Sequence, residues 1–451
     1  MFLKRDTKVY LRKLISAGKY AIWEIPVMAG FNFSQGNTTS EVVLKEMATA
    51  AGTTRRGRRV FNDALAPAEW SFSTYIRPFV APVQAAVDVE NLVAGVGYKI
   101  LSAGDTNWAT PSGAEIISGS TAGTYFTATT TGTGTGTCVP ASIADAAANH
   151  HAIEEVLWAQ MVGTGAYTPT TYTFANLDAP NTTDMDVLFT GGNNITLGTF
   201  DLFFVLGATY DADTNYDSPA SDSVIVYKVA DCVVNQATIN FDVDGIAMIE
   251  WTGMGTVLSR ETSFKASTAI TQGITATSNF IRNKLTALTL LASNTTAYPG
   301  AADNDTPGTA GSYNITLTGG SVTFSNNVQY LTPETLGIVN RPIGHIAGNR
   351  SVTGNFTAYV EEDATLADTS GQLLADALAD VTTITNSFAM TLIVGGSGNT
   401  PRMHVVLPTA HLEIPKVQSE DVMSVDISFH GLPSVITASD EASIKYVGAA
   451  L

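Results

Sequence analysis

The feature that most constrains this chain is a series of alternating segments that occurs twice in the same order. In the first series, residues 31–36 (FNFSQG) and 70–76 alternate apolar and polar side chains, and in the second, residues 322–327 (VTFSNN) and 355–360 do the same. A period of two is typical of β-strands with one buried face. Alternation alone is common in β proteins, but the repeated order predicts an internal duplication.

Each series continues with a helical segment and then a long strand that ends at glycine. Residues 142–162 and 369–380 carry Leu, Ile and Val at helical spacing. The apolar faces of the two closing strands consist of Ala247, Ile249, Trp251 and Gly253, and of Val425, Ile427, Phe429 and Gly431. A mainly β fold with one helix per repeat is predicted, each repeat forming a β-sandwich or half-barrel with the helix packed on it.

The duplication predicts where the chain divides. Residues 1–261 form the first repeat, here called copy 1, and residues 279–451 form the second, copy 2, with a polar linker over 262–278. Residues 98–140 are rich in Gly and Thr and have no counterpart in copy 2. We call this segment the inserted module, and we expect it to consist of short strands and turns.

Charge is low and unevenly distributed. Charged residues make up 14% of the chain, hydrophobic residues 45%, and the net charge is −18. Residues 1–60 hold eleven Lys and Arg against four acids, whereas the remainder holds twelve against 37. The chain after residue 60 is therefore acidic and lacks the excess of cations that tight nucleic-acid binding requires. It is compatible with a channel through which DNA passes unbound, although solubility alone explains it equally well.

The chain shows no sign of export, membrane insertion or disulfide bonding. Cys138 and Cys232 match neither a disulfide framework nor a zinc motif. Lys4 and Arg5 stand where a secretion signal needs apolar residues, and no apolar run is long enough to span a bilayer. We therefore expect assembly in the host cytoplasm.

One cluster has residue types that bind metals. His150 and Glu154 lie one helical turn apart, next to His151 and Glu155. An exposed polar helix face explains the cluster better than a metal does. Nucleophile elbows, phosphate-binding loops and zinc-helix motifs are missing from the sequence, so we expect neither a cofactor nor catalysis.

Several segments resemble the tail tube proteins of long-tailed bacteriophages, in the form that fuses two tube domains in one chain. In copy 1 these segments are RRGRRVFNDAL (55–65) and AEWSFSTYI (68–76). In copy 2 they are NVQYLTPE (327–334), RPIG (341–344) and AHLEIP (410–415). The resemblance extends from about residue 24 to about residue 434 and excludes the inserted module.

This resemblance implies a virion structural protein. In such tubes each domain contributes strands to a central β-barrel and six domains close a ring, so three chains of this type would form one pseudo-hexameric ring. The rings stack around a tape-measure protein, and DNA later passes through the tube into the host. The implied partners are further copies of the chain, the tape-measure protein, tail terminator and baseplate or tip proteins, DNA in transit, and a sheath protein in contractile tails.

Two sets of residues are candidates for this function. The resemblance places Arg55, Arg56, Arg58 and Arg59 in a loop that contacts the next ring, although a solvated basic loop has the same sequence. Glu250 and Asp426 lie on the strand faces opposite the apolar rows, and in a tube of the kind that the resemblance implies this face would line the bore. A phage or cell-surface adhesin that binds carbohydrate, suggested by the inserted module, and a secreted β-sandwich hydrolase are the alternatives.

Overall fold

The computed structural model confirms the mainly β prediction. It describes residues 7–16, 18–43, 58–83, 86–113, 116, 121–143, 147–189, 196–207, 224–262, 264, 266, 268–270, 280–292, 312–336, 338–361, 369–371, 373, 388–396, 400–414, 416–419, 422–436 and 438–448.

Copy 1 contains seventeen of the strands in the described ranges, four of which lie in or beside the inserted module. The strands before the module are β1 (Lys8–Ser16), β2 (Lys19–Ile25), β3 (Asn32–Val43), β4 (Arg58–Tyr75) and β5 (Pro78–Val80). Those of the module are β6 (Val87–Asp88), β7 (Gly97–Ser102), β8 (Tyr125–Thr127) and β9 (Thr137–Pro140). After it come β10 (His150–Ala152), helix α1 (Glu155–Val162), β11 (Tyr167–Thr168), β12 (Thr173–Phe174), β13 (Asp184–Leu188), β14 (Phe200–Leu206), β15 (Ile225–Asp242), β16 (Met248–Gly255) and β17 (Val257–Glu261).

Copy 2 contains the remaining described strands. They are β18 (Ala287–Ala292), β19 (Ser312–Ile315), β20 (Leu317–Ser325), β21 (Gln329–Leu331), β22 (Gly344–Ile346), β23 (Ser351–Tyr359), β24 (Phe388–Gly395), β25 (Arg402–Leu412), β26 (Lys416–Ser419), β27 (Met423–Leu432) and β28 (Ser443–Val447). In the part of the chain that the structure describes, single turns of 3-10 helix occur at Val89–Asn91 and Asn283–Leu285.

The two copies have the same spatial order of strands, and all pairs are antiparallel. In copy 1 the order is β2-β1-β14-β15-β16-β4-β3. In copy 2 it is β19-β18-β24-β25-β27-β23-β20. An eighth strand occupies the same place in both copies, because β17 pairs with β15 and β28 pairs with β25. Copy 2 thus repeats the fold of copy 1 strand by strand.

The copies join at two strand pairs and form one continuous sheet. The second half of β15 pairs with β20 over Gln236–Asp242. The last strand, β28, pairs with β13 of copy 1. One large core cluster of buried apolar side chains extends through both copies. The inserted module and residues 87–97 before it share a four-stranded sheet in the order β6-β9-β7-β8 and a core cluster of their own around Trp108 and Phe126.

The helix predicted over 142–162 is shorter than expected. Residues 150–152 form β10, which pairs with β5, and the helix is confined to Glu155–Val162. Every residue of α1 is buried, since β13 and β15 pack against it. In the second predicted helix, over 369–380, residues 369–371 and 373 are described; residue 369 forms a bend and residues 370, 371 and 373 are helical. Among the described residues, no helix combines the length and apolarity that a membrane-spanning helix requires.

Candidate assembly surfaces

The junction between the copies is held by side chains as well as by strand pairing. Opposite each other in the β15–β20 pair, Thr238 and Thr323 have hydroxyl oxygens 3.2 Å apart. The amide nitrogen of Asn326, just after β20, donates to the carbonyl oxygens of Met161 (3.0 Å) and Val234 (3.2 Å) in copy 1. Buried polar groups that are satisfied across a junction fix its register, because a slip would leave them without partners.

Arg350 of copy 2 adds a buried cation to this junction. Its Nη2 donates to the carbonyl oxygen of Val162 at 2.9 Å, and its guanidinium lies 4.9 Å from the ring centroid of Phe189. Its Nη1 is 4.0 Å from an oxygen of Glu441. Val162 is the last residue of α1, so the cation lies at the negative end of the helix dipole. Nothing in the sequence pattern around Arg350 identified this contact.

The alternation predicted for the closing strands is confirmed. Trp251 on β16 and Phe429 on β27 are buried, as are Ala247, Ile249, Val425 and Ile427 in their rows. On the opposite faces, Glu250 is exposed and Asp426 is half-buried. Both carboxylates therefore lie on the face of the sheet that turns away from the core.

Two of the four arginines lie on a two-stranded arm rather than in a loop. β3 and β4 stay paired as far as Val43 and Arg58, so the arm, residues 37–43 with 58–65, extends beyond the sheet. We call it the basic arm. Arg58 and Arg59 are exposed near its tip, where Arg58 Nε lies 2.8 Å from an oxygen of Glu41. Arg55 and Arg56 fall outside the described residues.

Apolar side chains accompany the basic arm at the same end of the sheet. The loop between β20 and β23 joins the arm, since Leu65 N donates to Asn340 O (2.9 Å) and Asn340 N donates to Asp63 O (3.0 Å). Its exposed apolar residues are Leu331, Leu336, Ile338, Val339, Ile343 and Ile346. A group of exposed apolar side chains of this kind commonly marks a protein contact. The run of Leu, Ile and Val between prolines could have indicated it in the sequence.

The other end of the sheet carries two exposed acids in a turn, next to the exposed Arg282, which bridges to Ile246. The turn between β15 and β16, residues 242–247, carries Asp242 and Asp244, both exposed. We call it the acidic turn. It adjoins Met248, whereas the basic arm leaves the sheet beyond Gly255, at the opposite end of β16. The two charged features thus lie at opposite ends of the same strand.

The cluster around α1 is buried, which contradicts the exposed polar face expected from the sequence. His151 Nδ1 is 2.9 Å from an oxygen of Glu155, and both side chains are almost completely buried. Glu154 lies beside Arg77 and the Tyr446 hydroxyl, and its burial raises its pKa to about 7. Within the described residues, no three His, Cys, Asp or Glu side chains are grouped so that they could hold a metal ion. The cluster instead supports the core where β28 of copy 2 packs on copy 1.

The inserted module is fixed to copy 1 by a buried lysine. Lys99 Nζ donates to the Pro169 carbonyl oxygen at 2.7 Å and lies 3.2 Å from the ring centroid of Tyr172. The hydroxyl oxygens of Tyr125 and Tyr167 are 3.4 Å apart across the same contact. These contacts give the module a defined position on copy 1.

Comparison with known proteins supports the resemblance seen in the sequence. The chain is similar to the tail tube protein pb6 of Escherichia phage T5, with 25% identity over 453 aligned residues that cover 98% of this chain and 75% of the relative. No family profile matches the chain. The similarity confirms the resemblance to a tail tube protein of a long-tailed phage and supports a structural role in the virion tail.

Proposed function

We propose that this chain is the structural subunit of a phage tail tube and that three chains form each ring. The observation that carries the proposal is the edge-to-edge junction of two copies with the same strand order. A contact that joins two equivalent domains by rotation can be repeated between chains, and a repeated heterologous contact closes into a ring when its rotation allows. With two domains per chain, three chains supply the six domains of one ring.

Ring closure also accounts for the exposed edges of the sheet. Among the described residues, β3 pairs only with β4, and β26 pairs only with β27. Such open edges invite uncontrolled pairing in a monomer, and a closed barrel removes them. The strands from β3 to β26 would then form one third of a continuous inner wall.

The polar face of this wall suits the passage of DNA. Near the junction it carries hydroxyl and amide side chains, such as those of Thr238 and Thr323, together with Glu250 and with Asp426, which lies opposite Lys416. Carboxylates repel phosphate, whereas Lys or Arg would add a salt-dependent attraction for each phosphate held. We infer that this face lines the bore and lets DNA move without holding it.

Stacking of rings would use the two ends of the sheet. The basic arm and its apolar neighbours at one end complement the acidic turn at the other, so that identical rings could stack head to tail. Opposite charges at the rim set the register and the rate of association, and the apolar residues contribute buried area. We propose Arg58 and Arg59, together with Arg55 and Arg56, as the ring-to-ring contact.

The role proposed here is purely structural, in the virion tail after assembly in the host cytoplasm. The partners that follow are a tape-measure protein inside the tube and the terminator, baseplate or tip proteins at its ends. A carbohydrate-binding adhesin would instead behave as a discrete monomer or compact trimer. Negative-stain electron microscopy of the purified protein separates the two, since rings or tubes support the tail tube and discrete particles that bind glycans oppose it.

A further inference from the structure

Two histidines face each other on the polar side of the copy 2 sheet. His411 on β25 lies directly opposite His430 on β27. Directly opposed residues of an antiparallel pair carry their side chains on one face, about 5 Å apart. The residues next to them on these strands, Leu412 and Phe429, are buried, whereas both histidines are exposed. The pair therefore lies on the face that carries Asp426, which we infer to line the bore.

Glu413 completes a titratable group at this place. It follows His411 by two residues, so it belongs to the same face of the sheet, and its Oε1 lies 3.3 Å from His430 Nε2. A histidine side chain changes charge between about pH 5 and 8, whereas an ordinary carboxyl group is largely ionised over that range. The group of two imidazoles and one carboxylate therefore changes from net negative at neutral pH to net positive when both imidazoles are protonated.

The neighbouring side chains do not offset this change of charge. Thr353 on β23, which lies opposite His430, is uncharged. The cavity beyond the end of β27 also adjoins His430 and is lined by Arg350 and Glu441. The charged neighbours form two pairs of opposite sign, Arg350 with Glu441 at 4.0 Å and Asp426 with Lys416 opposite it on β26. The charge of this part of the face is thus set by the histidines and Glu413.

We propose that His411 and His430 form a proton-dependent contact for the phosphates of DNA on the bore face. Below about pH 6 the imidazoles are protonated, and they donate charge-assisted hydrogen bonds to phosphate oxygens. Near neutral pH the imidazoles are uncharged, and Glu413 repels phosphate. The inference rests on the proposed tail tube function and adds a regulation to it, because the same bore holds DNA in acid and lets it pass at neutral pH.

Copy 1 provides a comparison within the same chain. The residue before the glycine that ends each closing strand is Thr252 in copy 1 and His430 in copy 2. Thr252 lies opposite Gln236, as His430 lies opposite His411. Copy 1 therefore has a hydroxyl and an amide where copy 2 has two imidazoles, so only one of the two equivalent places changes its charge with pH.

Sedimentation of DNA with assembled tubes tests the contact. Open-ended tubes grown from the purified chain are pelleted with a short fluorescent DNA duplex at pH 5.5 and at pH 8, in low salt where screening is weakest. We expect about threefold more bound DNA or better at pH 5.5, a modest factor because exposed ion pairs are individually weak. His411→Gln with His430→Gln keeps polar side chains at both places and should remove this difference.

Two further variants control for histidines elsewhere and for position on the sheet. His345→Gln changes a half-buried histidine of the β21–β22 hairpin, outside the proposed bore sheet, and should retain the full pH dependence. Gln236→His with Thr252→His builds the same pair in copy 1 and should raise the amount of DNA bound at pH 5.5 above that of the wild type.

Three results would overturn the histidine contact while the tail tube function stands. They are equal binding by wild-type tubes at both pH values, full pH dependence in the His411→Gln, His430→Gln variant, and its loss in His345→Gln. If the double glutamine variant does not assemble, failure of the added copy 1 pair to increase binding at pH 5.5 has the same meaning. Absence of rings and tubes from the unmodified protein would instead contradict the function itself.

Discussion

Arg350 of copy 2 donates a hydrogen bond of 2.9 Å to the carbonyl oxygen of Val162, the last residue of α1 in copy 1. The corresponding place in copy 1 is Ala68, because Val352 corresponds to Trp70. Copy 1 therefore has no arginine at the place that Arg350 occupies in copy 2. Arg350 adds a buried cation to the junction between the two copies within the chain.

Replacing Arg350 tests this reinforcement. Arg350→Met keeps most of the side-chain volume but leaves the carbonyl oxygens of Val162 and Phe189 without this donor. We expect the free energy of unfolding to fall by about 1–3 kcal/mol. Denaturant titration of the unassembled protein measures it, with the exposed Arg260→Met as the control, for which about 0.5 kcal/mol or less is expected. An equal decrease in the free energy of unfolding in both variants would show that Arg350 does not stabilise the junction.

The raised pKa of Glu154 predicts that the free energy of unfolding depends on pH. Its folded pKa is raised to about 7, so the folded state favours the neutral acid. Its stabilising contribution is complete below the ordinary pKa of the carboxyl group and is lost as the pH rises through 7. Glu154→Gln, which is neutral at every pH, should match the wild type at pH 4 and exceed its unfolding free energy by on the order of 2 kcal/mol at pH 8. A difference that does not change with pH would mean that Glu154 is already ionised in the fold.

The strand pattern could be predicted from the sequence because local alternation determines which face of a strand is buried. Trp251 and Phe429 follow that rule and are buried. The similarity between FNFSQG and VTFSNN likewise has a physical basis, since Phe33 and Phe324 occupy matching positions in the ladder.

The errors arose where tertiary contacts override local pattern. His150 and His151 have helical spacing to Glu154 and Glu155, but pairing with β5 draws residues 150–152 into a strand. The polar residues of α1 were expected to face solvent. Instead every residue of the helix is buried, because β13 and β15 pack against it. The contact of Arg350 with copy 1 could not be predicted, because its acceptors there are backbone carbonyls about 160 and more residues away.

Charge reversal tests the contact between rings. Arg58→Glu with Arg59→Glu opposes the acidic turn with like charge, so rings should form but stack poorly, most clearly at low salt where screening is weakest. Asp242→Lys with Asp244→Lys should have the same effect, and the four changes together should restore tubes. Tube length measured by microscopy is the readout.

Two exposed acids beside the inserted module provide a matched control for the effect of charge reversal on stacking. Asp88→Lys with Glu90→Lys reverses two exposed acids beside the inserted module and should leave tube length unchanged. If the combined basic-arm and acidic-turn variant fails to recover tubes although each pair alone shortens them, the two features do not face each other across rings.

The bore hypothesis predicts an effect on DNA passage alone. Glu250→Lys with Asp426→Lys places cations on the proposed inner face, and DNA presents one charge per ~1.7 Å of its axis. Tails should assemble with normal shape, while genome ejection becomes slower or incomplete, more so at low salt. Ejection yield from phage that carry both changes is the measurement. Normal ejection through normal tails would place these carboxylates outside the path of the DNA.

The symmetry of an assembled tube bears on the whole account, and cryo-electron microscopy of tubes grown from the purified chain can determine it. We predict rings of three chains, with true threefold symmetry and six similar domains at nearly equal spacing around the bore. The inserted module, present once per chain, distinguishes threefold from sixfold order. Rings built from six chains, or particles with no central barrel, would contradict the account.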